Sequence, residues 1–417
     1  MTRLISLCYC VMLVSICAAD EVRVPVAEST SIQPMFNDDS VRKSVERSLP
    51  FLENEGVAWM QDRGCMSCHH VPFLIWTHRA AQSKEFNVDV EKLTSWEAWS
   101  IKDSLEQRNL YRLQDYELSK VDDSALPVSV KAKLKPLLDA PFKSLEEFRT
   151  ALMTLLTVDE LQSHEVVIIK VAERSINAPD RTGGGLDVLG QLLLSGKGSA
   201  SEIQQPAFRD GIVSLMRQLQ QTDGYWVPGN QFLTMRQWSQ PVANQSTTMW
   251  AAISLAAVET HEQLRQETLQ KAQTWQELQH PAQDNHEWLA THALFQHYYG
   301  TEEHLEKSRQ SLLAVQNSDG GWGWQSEVDS DPYTTGLALY VLAKVCHAEA
   351  DNEVEAARNY LLNLQQPDGS WHTQSKNISN TTDLERLKAR DEIYHYWGTA
   401  WAALGLLESL DTPSGSR

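Results

Sequence analysis

The chain has 417 residues, 42% hydrophobic and 22% charged, which is enough apolar material for one large assembly or two to three domains. A net charge of −19, with no cluster of Lys and Arg, excludes nucleic acid as a partner, because phosphate binding needs grouped cations. Fourteen Trp are many for this length, and three of them fall in one repeated turn motif.

Residues 1–19 read as a secretory leader: Arg3 begins it, Leu4–Ile16 is the apolar run, and Cys17-Ala18-Ala19 is a small-residue cleavage site before Asp20. The run is short for a membrane span. Lipid attachment at Cys17 is a second reading, weakened by the bulky Ile16 before it. The expectation is an exported protein, periplasmic or extracellular, without a transmembrane anchor. Losing Arg3 with the leader takes the charge from −19 to −20. Residues 20–40 are polar and Pro-punctuated, a linker. Residues 41–185 form a helical N-terminal region, 186–411 a repeat region and 412–417 a tail.

Ser44–Gln61 has helical apolar spacing and leads into Gln61-Asp62-Arg63-Gly64-Cys65. Cys65-Met66-Ser67-Cys68-His69 then has the C-x-x-C-H spacing of covalent c-type haem attachment. That chemistry needs two thiols one helical turn apart for the haem vinyl groups and an imidazole next to them for the iron. The resemblance to a cytochrome c attachment site covers this pentapeptide. It implies haem c, with Cys65 and Cys68 as thioether carriers and His69 as proximal ligand. A Cys65–Cys68 disulfide, a zinc site including His69 or His70, and a redox dithiol are the other readings. No sixth ligand is legible. His70, adjacent to His69, cannot easily reach the opposite face; His78, His164, Met153 and Met235 are candidates.

Asp103–Tyr116, Val128–Leu138, Leu145–Leu156 and Val158–Ala172 are further helical patterns, with His164 on the last. Arg181-Thr182-Gly183-Gly184-Gly185 has no preceding strand and no following Lys-Ser/Thr, so it reads as a helix–helix connection rather than a phosphate loop.

Then a repeat begins. Gln220-Gln221-Thr222-Asp223-Gly224-Tyr225-Trp226 recurs as Gln316-Asn317-Ser318-Asp319-Gly320-Gly321-Trp322 and Gln365-Gln366-Pro367-Asp368-Gly369-Ser370-Trp371, each after an apolar helical run. Asp368 lies 49 residues after Asp319, and Asp319 lies 96 after Asp223, so the period is about 48. The Asp-Gly pair is expected to end each helix, with Gly at positive φ as its C-terminal cap. The Trp is expected to fold back over the helix end while the Gln amide bridges unpaired backbone groups. A degenerate copy, Gln279-His280-Pro281, falls between the first two, with Trp288 late. Gln61–Gly64 looks like a worn copy too, which puts Cys65–His70 in the turn of a diverged first repeat.

The motif resembles the Gln–Trp repeat of squalene-hopene cyclases and the wider prenyltransferase-like group. The resemblance implies an all-α fold, an α/α toroid of helical hairpins. In those cyclases an Asp-x-Asp-Asp-Thr stretch supplies the general acid. Here Asp329 and Asp331 match it, but Pro332 stands where the next Asp belongs. The competing reading makes Asp331-Pro332 the N-cap of a helix over Tyr333–Val345. Metal-dependent protein prenyltransferases of the same group carry an Asp/Cys/His zinc site, a spacing that Asp331, Cys346 and His347 do not reproduce. Cys346 reads as a buried small hydrophobe. Residues 372–392 read as a polar insertion before a closing helix, Tyr396–Leu410, whose Trp397 and Trp401 pack in the ring core.

The functional expectation is an exported toroid with covalent haem c and a redox or electron-transfer role. Its partner would be a redox protein or a small hydrophobic ligand in the toroid cavity. The alternatives are a terpenoid cyclase or prenyltransferase-like enzyme using Asp329 or Asp331, and a non-catalytic scaffold with a Cys65–Cys68 disulfide or metal site.

Overall fold

The computed structural model describes residues 37–63, 69–105, 121–138, 145–169, 186–195, 206–228, 238–256, 262–345, 351–375 and 384–410. All regular structure in them is helical. The N-terminal half contributes α1 (Asp38–Arg63), α2 (Val71–Ser83), α3 (Val90–Leu105), α4 (Val128–Leu138), α5 (Leu145–Leu155), α6 (Asp159–Gln162) and α7 (Leu186–Ser195). The repeats contribute α8 (Pro206–Leu219), α9 (Gln240–Ala256), α10 (Glu262–Glu277), α11 (His286–Tyr299), α12 (Glu302–Leu313), α13 (Pro332–Val345), α14 (Asp351–Leu364) and α15 (Leu384–Glu408).

Six helices close a ring. α2 packs on α7, α7 on α9, α9 on α11, α11 on α13, α13 on α15, and α15 returns to α2. Six more stand outside: α1 and α3 against α2, α8 against α7, α10 against α9, α12 against α11, and α14 against α13. Sequence dictates the sorting. Every residue of α13 from Pro332 to Leu342 is buried, as expected of a helix apolar on all sides, whereas α12 buries only Ser308, Arg309 and Leu312. α13 and α15 approach most closely. A Cβ on Gly336 would sit 2.4 Å from Ala402 N, and one on Gly405 would sit 2.5 Å from the Gly336 carbonyl, so only glycine lets these backbones touch. The fold is an all-α toroid of helical hairpins.

The repeated turns sew the ring together. Gln220 Nε2 donates to Gly224 O (2.8 Å) and to Thr268 O on α10 (2.9 Å). Gln316 donates to Gly320 O (2.8 Å) and to Glu353 O on α14 (3.0 Å). Gln365 donates to Gly369 O (2.9 Å) and to Ser44 O on α1 (2.8 Å), joining the last repeat to the first helix. The indole N–H groups of Trp226, Trp322 and Trp371 reach back to Met216 O, Leu312 O and Leu361 O at 2.7–2.9 Å. All three rings are 0% exposed. Their backbone N–H groups donate to Thr248, Thr335 and Thr399 on the inner helix that comes next.

The glycines act differently from the expectation. Gly224, Gly320 and Gly369 have φ of +105°, +87° and +88°, but none caps a helix. α12 ends at the Ala314 cap, and Gly320 lies in a tight loop closed by Asn317 N–H to Gly321 O and Gly320 N–H to Asn317 O, each 2.9 Å. That loop carries Gly320 flat against the Ala356 carbonyl, where a Cβ would come within 2.6 Å. The degenerate copy lacks the stitch: Gln279 Nε2 bonds Trp275 O of its own segment, and Trp288 Nε1 bonds Gln245 Oε1.

Three other boundaries differ from the sequence reading. α1 begins at Asp38, inside the stretch read as linker. The Val158–Ala172 pattern breaks at Ser163-His164, and α15 begins at Leu384, inside the stretch read as an insertion. Between α3 and α7, Leu126, Val130, Leu134, Leu152, Leu156 and Leu161 form a small core of their own.

Candidate functional site

The candidate residues that can be placed, His69 and His70, lie directly before α2. α1 is an outer helix and α2 an inner one, so His69 and His70 occupy the place that the Gln–Trp turns occupy elsewhere. Each is 5% exposed. His70 is sandwiched between Trp59 (centroids 4.3 Å, planes 17° apart) and Tyr396 (4.0 Å, 14°). His69 stands edge-on to Trp59 at 4.8 Å and tilts toward Trp397 at 6.1 Å. The Tyr396 hydroxyl lies 3.2 Å from His70 O and 3.3 Å from Leu52 O, tying α15 to this link.

Burial pushes the His69 imidazolium down to about 3, and burial with the neighbouring His69 pushes His70 well below its usual range. Both rings are therefore neutral at pH 7. Their Nδ1 atoms are hydrogen-bonded to each other, so one donates and one accepts. With His69 as donor, its Nε2 carries the lone pair that a metal ion takes. This donor chemistry fits an iron ligand: a neutral imidazole, oriented through its other nitrogen, with Trp59 and Trp397 beside it. Cys65 and Cys68 lie outside the described residues, as do the leader, Arg181–Gly185, Cys346, His347 and Met235.

The other candidates are scattered. His78 is 3% exposed, with Nδ1 2.7 Å from Leu74 O and its ring on Trp96; burial lowers it to about 4. His164 is half-buried and Met153 is 53% exposed, both on the small separate core. Asp329 is exposed. Asp331 caps α13, its Oδ1 accepting from Thr334 N at 2.8 Å and its Oδ2 from Thr334 Oγ1 at 2.8 Å.

A central cavity opens beside the histidines. It is small, about 20 Å³ and so roomy enough for about one water, and each inner helix supplies a wall: Phe73, Gln191, Trp250, Thr291, Tyr333 and Trp397. Trp397 belongs to both places, since it also faces His69. Sequence reasoning missed Trp59 and Tyr396. Trp59 was findable as an aromatic residue near the end of α1, whereas Tyr396 sits within α15 and gave no local signal. A second cleft, about 520 Å³ across α10, α11 and α12, lies where the repeat is degenerate and the stitch is missing.

No family model matches the chain, and no curated protein matches it. Among solved structures the chain is similar to the crystal structure of a possible member of the GH105 family from Salmonella enterica subsp. enterica serovar Paratyphi A str. ATCC 9150. The TM-score is 0.32 at 13% identity, over 95% of this chain and 98% of that one.

Proposed function

We propose that this is an exported redox protein in which the α1–α2 link carries a covalently attached c-type haem. The observation that supports it most is the buried, neutral His69, directly after Cys65-x-x-Cys68 and walled by Trp59 and Trp397. Cys65 and Cys68 would hold the haem and His69 would bind its iron through Nε2. A bound haem supplies one-electron redox chemistry. The chain's own part is to keep His69 neutral, to fix its ring through the His70 contact, and to exclude water with Trp59, Tyr396 and Trp397.

The test is an absorption spectrum of protein exported from a host with haem-maturation machinery, beside its His69→Ala variant. Reduced bands of a thioether-linked haem are expected in the parent and a changed ligand spectrum in the variant. A colourless parent contradicts the proposal. The alternatives separate cleanly. An isoprenoid enzyme using Asp329 or Asp331 turns over without haem and loses activity on Asp331→Asn. A scaffold shows a Cys65–Cys68 disulfide or bound metal and no turnover.

A further inference from the structure

The degenerate repeat leaves an opening in the outer layer of the ring. At the other turns a glutamine reaches a backbone carbonyl of the next outer helix, as Gln316 does on α14, but Gln279 turns back to Trp275 O. The cleft of about 520 Å³ lies there, between residues of α10 and α12. Its floor is α11, where Trp288, His292, Phe295 and Tyr299 recur at helical spacing and so share one face. At 1.5 Å per residue this floor is about 16 Å long.

Both sides carry unmatched hydrogen-bonding groups. On α10, Gln276 lines the cleft at 6% exposure, and its buried Oε1 has no partner among the described residues. Gln273 and Gln279 give their Nε2 to Tyr299 O (2.8 Å) and Trp275 O (2.9 Å), and no described residue donates to their Oε1. On the α12 side, Lys307 Nζ and the Thr301 hydroxyl are donors with no acceptor among the described residues. Buried polar groups are almost always satisfied. One water completes one such atom. Acceptors on one side and donors on the other, strung along about 16 Å, instead match a ligand with N–H and C=O groups at regular intervals.

We infer that this cleft is a binding site for a short extended polypeptide segment, held between Gln276 on α10 and Lys307 on α12. At about 3.3 Å per residue, about five residues span the floor. Their N–H groups meet the glutamine oxygens, and their C=O groups meet Lys307 and Thr301. Two other ligand classes suit the lining less. A saccharide gains most from open aromatic faces, but Trp288 and Phe295 are each 3% exposed and His292 already stacks on Trp288 (4.6 Å, 11°). A polyamine needs several carboxylates, but Glu277 is the one carboxylate in the lining and Lys307 opposes it. The cleft shares no residue with the α1–α2 link, so the inference does not rest on the haem reading.

The experiment puts the full-length protein on an array of pentapeptides with acetylated N-termini and amidated C-termini. The best binder is then measured by calorimetry beside cellobiose and spermidine. The expected result is saturable one-to-one binding of at least one pentapeptide, tighter than that of either other probe. Gln276→Leu removes the buried amide and should weaken this binding about tenfold. Lys307→Met removes an exposed donor, leaves the core untouched and should weaken it about threefold, which keeps the test decisive if the Gln276 variant fails to fold. Three outcomes overturn the inference: cellobiose or spermidine binding more tightly than every pentapeptide, pentapeptide binding that neither variant weakens, or no pentapeptide binding at all.

Discussion

Between α14 and α15 the link is closed by Gln365, Gly369 and Trp371, which spend their polar atoms on backbone groups of α14, α1 and the turn itself. Between α1 and α2 the corresponding place holds His69 and His70, which are stacked on aromatic rings and hydrogen-bonded to each other. The first kind of link is a fastener. The second is just as buried, yet it carries imidazole nitrogens of the kind that bind metals. On the haem proposal, a repeat position is turned from structure to chemistry when the neighbours take over its packing. Trp59 from α1 and Tyr396 and Trp397 from α15 do so here.

Breaking a fastener should cost the most. Trp371→Ala removes a fully buried indole and its bond to Leu361 O, and a loss of about 3–5 kcal/mol in denaturant unfolding is expected. An unchanged midpoint would mean that the ring is not held by these turns.

Acid comes next. His78 and His292 are lowered to about 4 by burial, with Glu53 opposing and Lys92 adding in the first case and His304 adding in the second. The unfolded chain takes up these protons near pH 6.5, so the stabilisation is complete above that pH. It is lost as pH falls toward 4 and changes no further below. The loss is up to about 3 kcal/mol for His78 and less for the half-buried His292. Melting curves of His78→Gln against the parent between pH 7 and 4 check the slope, which should be shallower in the variant.

Gly369→Ala tests the loop itself. Its φ is +88° and a Cβ would meet Arg47 O at 1.9 Å, so about 2 kcal/mol is expected along with loosening of α1. Hydrogen exchange in α1 should rise more than in α12. Smallest of all is Asp331→Ala, about 1 kcal/mol for a lost cap, with Asp331→Asn near neutral. A large effect of the Asn variant on any turnover, without a stability loss, would move Asp331 from cap to catalysis.

Much of the ring is legible in the sequence because the repeat obeys backbone rules. Gln220, Gln316 and Gln365, the positive-φ glycines and the folded-back Trp residues follow from spacing and residue type. The role of the glycines is not legible, because close approach to a neighbouring helix leaves no local signature. The start of α15 is hidden because its first turns are polar and only its second half enters the core. His69 stands out in Cys65-x-x-Cys68-His69, but of its two aromatic walls only Trp59 is near in sequence, and Trp397 is more than three hundred positions away.

The most direct measurement is the intact mass of the exported protein after denaturation, with and without Cys65→Ala/Cys68→Ala. The predicted result is a parent heavier than its processed chain by one haem, an increment that unfolding does not remove and that the double variant lacks. A parent of unmodified mass, produced beside a haem protein matured in the same cells, would contradict the haem reading and leave the α1–α2 link with a structural role alone.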